Sequence, residues 1–148
     1  MNASCLRGGA LTAGLCAWTA VSASLGPALA DPKGLWRGSD GSTTRIAACG
    51  AALCGYLDRM NPPNDPQTGR PWTDKNNPDL SKRDRPLAGV QVLIAMRPSD
   101  PGRWSGTLYY YDNGKTYNGF IIEQGPNNLR IEGCFLGICG GENLVRIR

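Results

Sequence analysis

The most informative absence in this sequence is histidine, which does not occur among its 148 residues. Histidine is the usual general base at neutral pH and the commonest protein ligand for metal ions. Catalysis by a serine or cysteine paired with histidine is therefore excluded. The chain also lacks the glycine-rich loops that cradle nucleotide phosphates. We therefore expect a protein that is not an enzyme and that holds no metal ion and no cofactor.

Amphipathic helices and blocks of like charge are also missing. The one helix candidate is a short turn at 79–82, after Pro78. Apart from Arg7, the chain carries 15 basic and 12 acidic side chains, a net charge of +3. These charges are interspersed, so nucleic acid is not expected as a partner.

The first 30 residues have the layout of a secretory signal peptide. Arg7 is their only charge, an apolar stretch covers 10–25, and Ala28-Leu29-Ala30 is a small-x-small cleavage site. We therefore predict a periplasmic or secreted protein with one domain over 31–148 and no membrane span after cleavage.

Four cysteines remain after cleavage, in two matching Cys-x4-Cys units. An even number of cysteines in an exported chain favours disulfides, and three pairings are possible. Residues five apart on one extended strand are too distant to bond, whereas a hairpin brings them together. We therefore favour Cys49–Cys54 and Cys134–Cys139. Four thiolates binding zinc is the alternative.

Short alternating segments bounded by turns predict an all-β fold. The expected strands lie around residue 36 and over 43–48, 55–60, 90–96, 104–111, 116–124, 129–133 and 143–148. Asn113-Gly114 predicts a hairpin with a type I′ turn. About eight sequential strands favour a small up-and-down antiparallel β-barrel, which hides strand edges; a two-sheet sandwich is the alternative. An eight-stranded barrel is either filled by side chains or holds one small ligand.

The two ends of this predicted barrel carry a further signal. Gly34-x-Trp36 resembles the Gly-x-Trp signature of lipocalin-like (calycin-like) barrels. In those proteins an arginine of the last strand packs over the tryptophan at the closed end. The resemblance implies that role for Arg146 or Arg148, through a cation–π contact.

Longer motifs resemble a family of small exported bacterial proteins catalogued as domain of unknown function 2147. The matching segments are Gly34-x-Trp36, Cys49-x4-Cys54-Gly55, the run from Asp65 to Pro78, Arg85-Pro86-Leu87-x-Gly89, Trp104 to Tyr109 and Asp112 to Tyr117. One departure is Leu144-Val145-Arg146, where members often have a Trp-Thr-Arg-like triplet. The family name implies no activity.

The polar segment 61–89 is the expected working surface. It holds six of the eleven prolines, and Trp72, Leu80 and Leu87 are its predicted anchors. If it folds across a barrel mouth, an arginine and an amide can fix a polar head group above an apolar pocket. The candidate ligand-binding residues are Asp74, Asn77, Arg85, Tyr110, Lys115 and Tyr117.

A structural role for the same residues is the alternative. Asp74 and Asn77 would then cap turns, and Arg85 would pair with Asp74 to brace the segment.

Two functions from different classes follow. The first is a ligand-binding barrel that takes a small apolar or amphipathic molecule. The second is an envelope module that uses 61–89 to bind another protein or a glycan. An enzymatic function would rest on Asp74, Arg85 and Lys115 alone.

Overall fold

Eight antiparallel strands close into a barrel in the computed structural model, which describes residues 31–148. Each strand pairs with the next, and the last pairs with the first. The strands are β1 (Gly34–Arg37), β2 (Thr43–Cys49), β3 (Ala52–Arg59), β4 (Gln91–Asp100), β5 (Arg103–Tyr110), β6 (Lys115–Glu123), β7 (Asn128–Phe135) and β8 (Ile138–Arg146). The predicted up-and-down barrel is confirmed, and the two-sheet sandwich is excluded. The predicted signal peptide, with Cys5 and Cys16, lies outside the described residues.

Closure of the barrel depends on a short ladder between β1 and β8. Trp36 lies opposite Arg146, and Arg37 lies opposite Val145. Two further backbone hydrogen bonds extend this contact, from Leu35 N to the Arg148 carbonyl at 2.7 Å and from Ile147 N to the Leu35 carbonyl at 2.8 Å. No strand edge of the sheet over 31–148 therefore remains open.

Trp36 and Arg146 together cover one end of the barrel. The Trp36 ring is fully buried, and its Nε1 donates a 2.8 Å hydrogen bond to the Pro32 carbonyl. The Arg146 guanidinium lies 4.2 Å from the centre of that ring. It also donates to the Lys33 carbonyl at 2.7 Å and to the Asp31 carbonyl at 2.6 Å. The segment before β1 is thereby folded under the barrel.

The apolar core fills this same end. Antiparallel order places the start of β1, the end of β8 and the β2–β3, β4–β5 and β6–β7 turns there. The largest fully buried apolar side chains are Trp36, Ile46, Leu93, Met96, Ile121, Leu129 and Leu144. We call this end the closed end and the opposite one the mouth.

Several strands run further than the sequence predicts. The β7–β8 ladder continues past the Cys134–Cys139 pair to Phe135 opposite Ile138, so only Leu136 and Gly137 form the turn. The predicted limits of these two strands, at 133 and 143, are therefore wrong, although the two cysteines do face each other across the hairpin as expected. β4 similarly continues through Pro98, and its register with β5 is irregular on both sides of Arg97 and Pro98.

Both disulfides of the structure lie within hairpins. Cys49 joins Cys54, and Cys134 joins Cys139. This is the pairing that the hairpin argument favours, and bonded sulfurs are not thiolate ligands for zinc. Each bridge ties two sequential strands beside their turn.

The turn between β5 and β6 differs from the expected type I′. Its loop spans four residues, and Gly114 N donates to the Tyr110 carbonyl at 2.9 Å. Gly114 has a φ of +70°, but Asn113 does not share the positive φ that a type I′ turn requires. A Cβ at Gly114 would lie 1.8 Å from the Asn76 carbonyl oxygen, so glycine is needed for a tertiary contact as well.

The segment 61–89 packs along the outer wall of the barrel. Leu87 is buried in the core cluster and Trp72 packs against it, whereas Leu80 is 70% exposed. The prediction of Leu80 as an anchor is therefore wrong, because it begins a 3-10 turn (Leu80–Lys82) on the outer surface. Among residues 31–148, no helix is long and apolar enough to cross a membrane.

Candidate functional site

A cavity of about 710 Å³ opens at the mouth of the barrel. Its deeper walls are apolar, with Leu57, Leu93, Leu108, Ile131 and Leu144 contributing side chains. Polar and aromatic side chains surround the opening: Asp40, Ser42, Thr44, Tyr110, Tyr111, Asp112, Asn113, Tyr117, Phe135 and Glu142. The volume lies within the range typical of small-molecule sites. The interior is therefore hollow above a packed floor.

Glycines on neighbouring strands make room for this cavity. Gly133 on β7 lies opposite Gly140 on β8, and both line the space. A Cβ at Gly140 would meet no atom within 4 Å, whereas one at Gly133 would lie 2.7 Å from Leu108 Cδ2. Because Gly140 shares its face with Glu142 and Leu144, a side chain there would extend into the cavity.

An aromatic row runs along one side of the mouth. The rings of Tyr110 and Tyr117 are 6.5 Å apart and nearly perpendicular, and those of Tyr117 and Phe135 are 6.5 Å apart at 87°. The Tyr111 ring lies 6.0 Å from that of Tyr110. Edge-to-face pairs of this kind fix ring orientation. The row continues onto the β7–β8 turn, where Phe135, Leu136 and Ile138 are exposed.

Carboxylates occupy the other side of the mouth. A Cβ placed on Gly38 would lie 2.8 Å from Glu142 Oε2 and 3.2 Å from Asp40 Oδ1, so both side chains flank Gly38. Burial raises the pKa of Glu142, and the negative charge of Asp40 raises it further, against a hydrogen bond from the Ser39 backbone. Solvent still reaches Glu142, because the barrel around it is hollow.

The same charges act on the tyrosines. The pKa of Tyr111 is raised to about 12, mainly by burial. The negative charges of Asp112, Asp40 and Glu142 raise it further. A hydrogen bond to the Asp112 carboxylate is the main cause that raises the pKa of Tyr110. The raised pKa values keep Tyr110 and Tyr111 neutral, and the carboxylates make the potential at the mouth negative.

The buried carboxylate of Asp74 organises the outer segment. It has no solvent exposure and accepts hydrogen bonds from Tyr109 Oη at 2.6 Å and Asn77 Nδ2 at 2.7 Å. The Arg85 guanidinium adds two more, at 3.0 and 2.7 Å. Burial first, and then the hydrogen bond to Asp74, raises the pKa of Tyr109 to about 12. This cluster pins the segment 61–89 to the outer face of β5.

A groove of about 640 Å³ lies beside this cluster on the outside of the barrel. Its charged lining residues are Lys82, Arg85 and Lys115, and Asn77 and Gln91 add amides. The part of the chain that the structure describes places no carboxylate in the groove lining. The charges of the groove lining are thus all basic, in contrast to the acidic mouth, although Lys82 pairs with Asp79 at 3.1 Å and Arg85 pairs with Asp74 at 2.7 Å.

The structure divides five of the six candidate ligand-binding residues between two places. Tyr110 and Tyr117 line the barrel cavity, whereas Asn77, Arg85 and Lys115 line the outer groove. Asp74 is buried between the segment and β5. The segment 61–89 contributes no residue to the cavity lining, so it does not assemble the six residues into one site.

Four residues of the mouth are not among the sequence-based candidates: Glu142, Asp40, Tyr111 and Phe135. Glu142 is absent because the predicted last strand begins at 143, after the cysteine unit. Extending the alternation of β8 back from the inward Leu144 would have placed Glu142 on the cavity face. No local pattern brings Asp40 to it from the β1–β2 loop.

Glu132 lies beside the Cys134–Cys139 pair. Atoms of Glu132, Cys134 and Cys139 lie within 4.8 Å of one another, a spacing that could suit a metal ion. Both sulfurs belong to one disulfide, so neither is available as a thiolate. The cluster is thus a bridge beside a carboxylate.

Comparison with known proteins connects this architecture to a family. Residues 34–146, from the Gly-x-Trp start to the barrel-closing arginine, match the family described as an uncharacterized protein conserved in bacteria (DUF2147). The chain belongs to this DUF2147 family. No curated protein matches the sequence.

A solved structure supports the same fold for this DUF2147 protein. The chain is similar to HP1028 of the human pathogen Helicobacter pylori, which is described as belonging to the lipocalin family. The TM-score is 0.67 at 17% identity, over 80% of this chain and 84% of that one. The similarity establishes a lipocalin-like barrel fold.

Proposed function

We propose that this protein is an exported binding protein whose barrel cavity holds one small apolar or amphipathic molecule. The observation that carries the proposal is the open cavity of about 710 Å³ above a closed, packed end. A strand-walled space of this size normally fills with side chains unless a ligand uses it. Binding, rather than catalysis, is the activity that this arrangement supports.

Export accounts for the two disulfides. Cys49–Cys54 and Cys134–Cys139 form and persist in an oxidising compartment. Residues 1–30 supply the proposed signal peptide, so the site of action is the periplasm or the medium. There the protein would bind or carry a molecule that water dissolves poorly.

Occupation of the cavity is tested by filling it. Gly140→Phe places a ring in open space at a position without positive φ. Val145→Phe is the matched control, because the same ring on the same strand then points outward, where Val145 is 46% exposed. Binding of the neutral apolar dye N-phenyl-1-naphthylamine is measured by fluorescence titration.

The proposal predicts saturable dye binding by the wild type and by Val145→Phe, and its loss in Gly140→Phe. Thermal unfolding of the three proteins checks that each is folded. Equal dye binding by folded Gly140→Phe would overturn the proposal, as would absence of binding by the wild type.

The outer groove favours a second candidate function, the binding of an envelope protein or glycan through the segment 61–89. The observation that supports this second function is the cluster of Lys82, Arg85 and Lys115 in the groove, which suits an acidic partner. Arg85 and Trp72 hold the segment in place, so their substitution would disturb the fold. Lys82→Gln with Lys115→Gln is the sharper test, because capture of an acidic partner should fall while thermal stability is kept.

A further inference from the structure

We propose that the ligand of the barrel cavity is a cationic amphiphile, with an ammonium or similar head group at the mouth and an apolar tail inside. This inference rests on the proposed function and specifies the chemistry of its ligand. It follows from the charges of the lining, from the aromatic row and from the division of the cavity into polar and apolar halves.

All charged side chains of the cavity lining are acidic. They are Asp40, Asp112 and Glu142, and the lining found within 31–148 includes no lysine or arginine. None of the three takes part in an ion pair of the described residues. Low-dielectric walls concentrate the field of such charges in the opening. A cation entering the mouth would meet three carboxylates that have no cationic partner of their own.

The carboxylates of Asp40 and Glu142 also repel each other. Both flank Gly38, and their proximity contributes to the raised pKa of Glu142. Two like charges near one another disfavour full ionisation. A bound cation between them would remove that repulsion, whereas an anion would increase it.

The aromatic row supplies the second feature that favours a cation. Tyr110, Tyr117 and Phe135 lie in successive edge-to-face contacts along the opening. Faces of aromatic rings attract ammonium groups, and quaternary ammonium ligands are commonly held this way. Asn113 Nδ2 donates a 2.7 Å hydrogen bond to the Tyr117 hydroxyl, which fixes that ring at the opening. The Asp112 carboxylate raises the pKa of Tyr110, so negative charge lies near that ring as well.

The deeper half of the cavity suits a hydrocarbon tail. Leu57, Leu93, Leu108 and Leu144 line it, and Trp36 and Met96 belong to the packed core of the same barrel. Removing a hydrocarbon tail from water is favourable, and the gain grows with each methylene that is buried. The tail would supply affinity and the head group would supply selectivity.

The test compares three probes with the same tail: octyltrimethylammonium, octyl sulfate and octyl glucoside. Each is titrated against the wild-type protein by isothermal calorimetry below its micelle concentration. We expect the ammonium probe to bind at least about tenfold more tightly than the sulfate, with the neutral glucoside between them. Added salt should reduce this preference.

Glu142→Gln removes one mouth charge while keeping the size of the side chain. It should weaken the ammonium probe about three- to tenfold and change the affinity for octyl glucoside much less, because the glucoside carries no charge. Asp84→Asn is the control, because this exposed aspartate lies outside the cavity and should change neither affinity.

The outcomes separate this inference from the proposed function. Equal affinities for the three probes, all lost in Gly140→Phe, would keep a binding cavity and overturn the cationic preference. Tighter binding of octyl sulfate would also overturn it. Failure of every probe to bind the folded wild type would overturn both.

Discussion

At the residue scale, the fold depends on a few buried polar contacts that connect distant parts of the chain. Asp74 and Tyr109 are 35 residues apart in sequence, yet their side chains form a 2.6 Å hydrogen bond. The sequence predicted that Arg85 would pair with Asp74 if the segment were braced, and this pair exists at 2.7 Å. It did not predict Tyr109, because strand alternation says which face a residue occupies but not what covers that face.

The hydrogen bond of Tyr109 gives a direct stability prediction. Tyr109→Phe leaves one oxygen of the fully buried Asp74 without this donor, so we expect a loss of about 1–3 kcal/mol in the free energy of unfolding. Tyr110→Phe is the control. Because Tyr110 is 43% exposed, water can form the hydrogen bonds that its hydroxyl forms, and the variant should lose little stability. Urea unfolding measures both, and equal losses would contradict the role of the cluster.

Glu142 gives a prediction about pH. Its pKa in the folded protein is raised above the ordinary 4.5, so the folded state holds this proton more tightly than the unfolded state does. Stability contributed by this group is therefore present at low pH and is lost as pH rises through 4.5 to the folded pKa. We expect Glu142→Gln to raise the thermal midpoint of the ligand-free protein at neutral pH but not at about pH 3.

Asp84→Asn serves again as the control and should leave the midpoint unchanged at either pH. A Glu142→Gln midpoint equal to or below the wild type at neutral pH would show that Glu142 is not destabilising. A charged group that destabilises the ligand-free protein is expected where that group serves binding, because functional sites often lower stability.

At the element scale, the order of the strands was predictable and several of their limits were not. Alternation and turn residues located all eight strands, because one face of each is buried. The predicted limits of β7 and β8, at 133 and 143, are wrong, because the ladder continues through the Cys134–Cys139 pair to a two-residue turn. Leu136 and Gly137, with φ values of +49° and +79°, form a tight two-residue turn. The sequence predicted a turn of this kind at 113–114 and not here.

The two disulfides are expected to differ in their effect on binding. Replacing either pair with serine removes a short closed loop and should cost about 2 kcal/mol. Cys134–Cys139 adjoins Phe135 and Ile138, which line the cavity, whereas Cys49–Cys54 is outside its lining. The Cys134→Ser/Cys139→Ser variant should therefore also lose dye affinity, and Cys49→Ser/Cys54→Ser should not.

Calorimetry and fluorescence titration of both double variants check this difference. Equal affinities in the two would mean that the β7–β8 hairpin keeps its position without its bridge. The stability losses alone would not distinguish the two hairpins.

At the scale of the whole molecule, the barrel and its closure followed from the sequence, but the cavity did not. An eight-stranded meander and Gly34-x-Trp36 predict a closed barrel whether its interior is filled or hollow. The hollow mouth arises where Gly133 and Gly140 face each other across strands, which requires the register of β7 on β8. The division between an acidic mouth and a basic outer groove likewise depends on the path of the segment 61–89 along the wall.

Barrel closure gives a prediction for Arg146. The guanidinium stacks on Trp36 and donates to two carbonyls of the segment before β1, a geometry that a lysine cannot reproduce. Arg146→Lys should lower the free energy of unfolding by about 1–3 kcal/mol. Arg148→Lys, the other candidate from the sequence, should have little effect, and the reverse order in urea unfolding would contradict this assignment.

The central claim is that the barrel interior binds a small amphipathic molecule. The most direct measurement is amide NMR of isotope-labelled protein titrated with octyl glucoside and, separately, with octyltrimethylammonium. The account predicts saturable shifts at Gly133, Gly140 and Leu144 on the cavity wall, and predicts that Gly140→Phe abolishes those at Gly133 and Leu144. Absence of saturable shifts at these residues with both probes, or shifts confined to Arg85 and Lys115 in the outer groove, would contradict it.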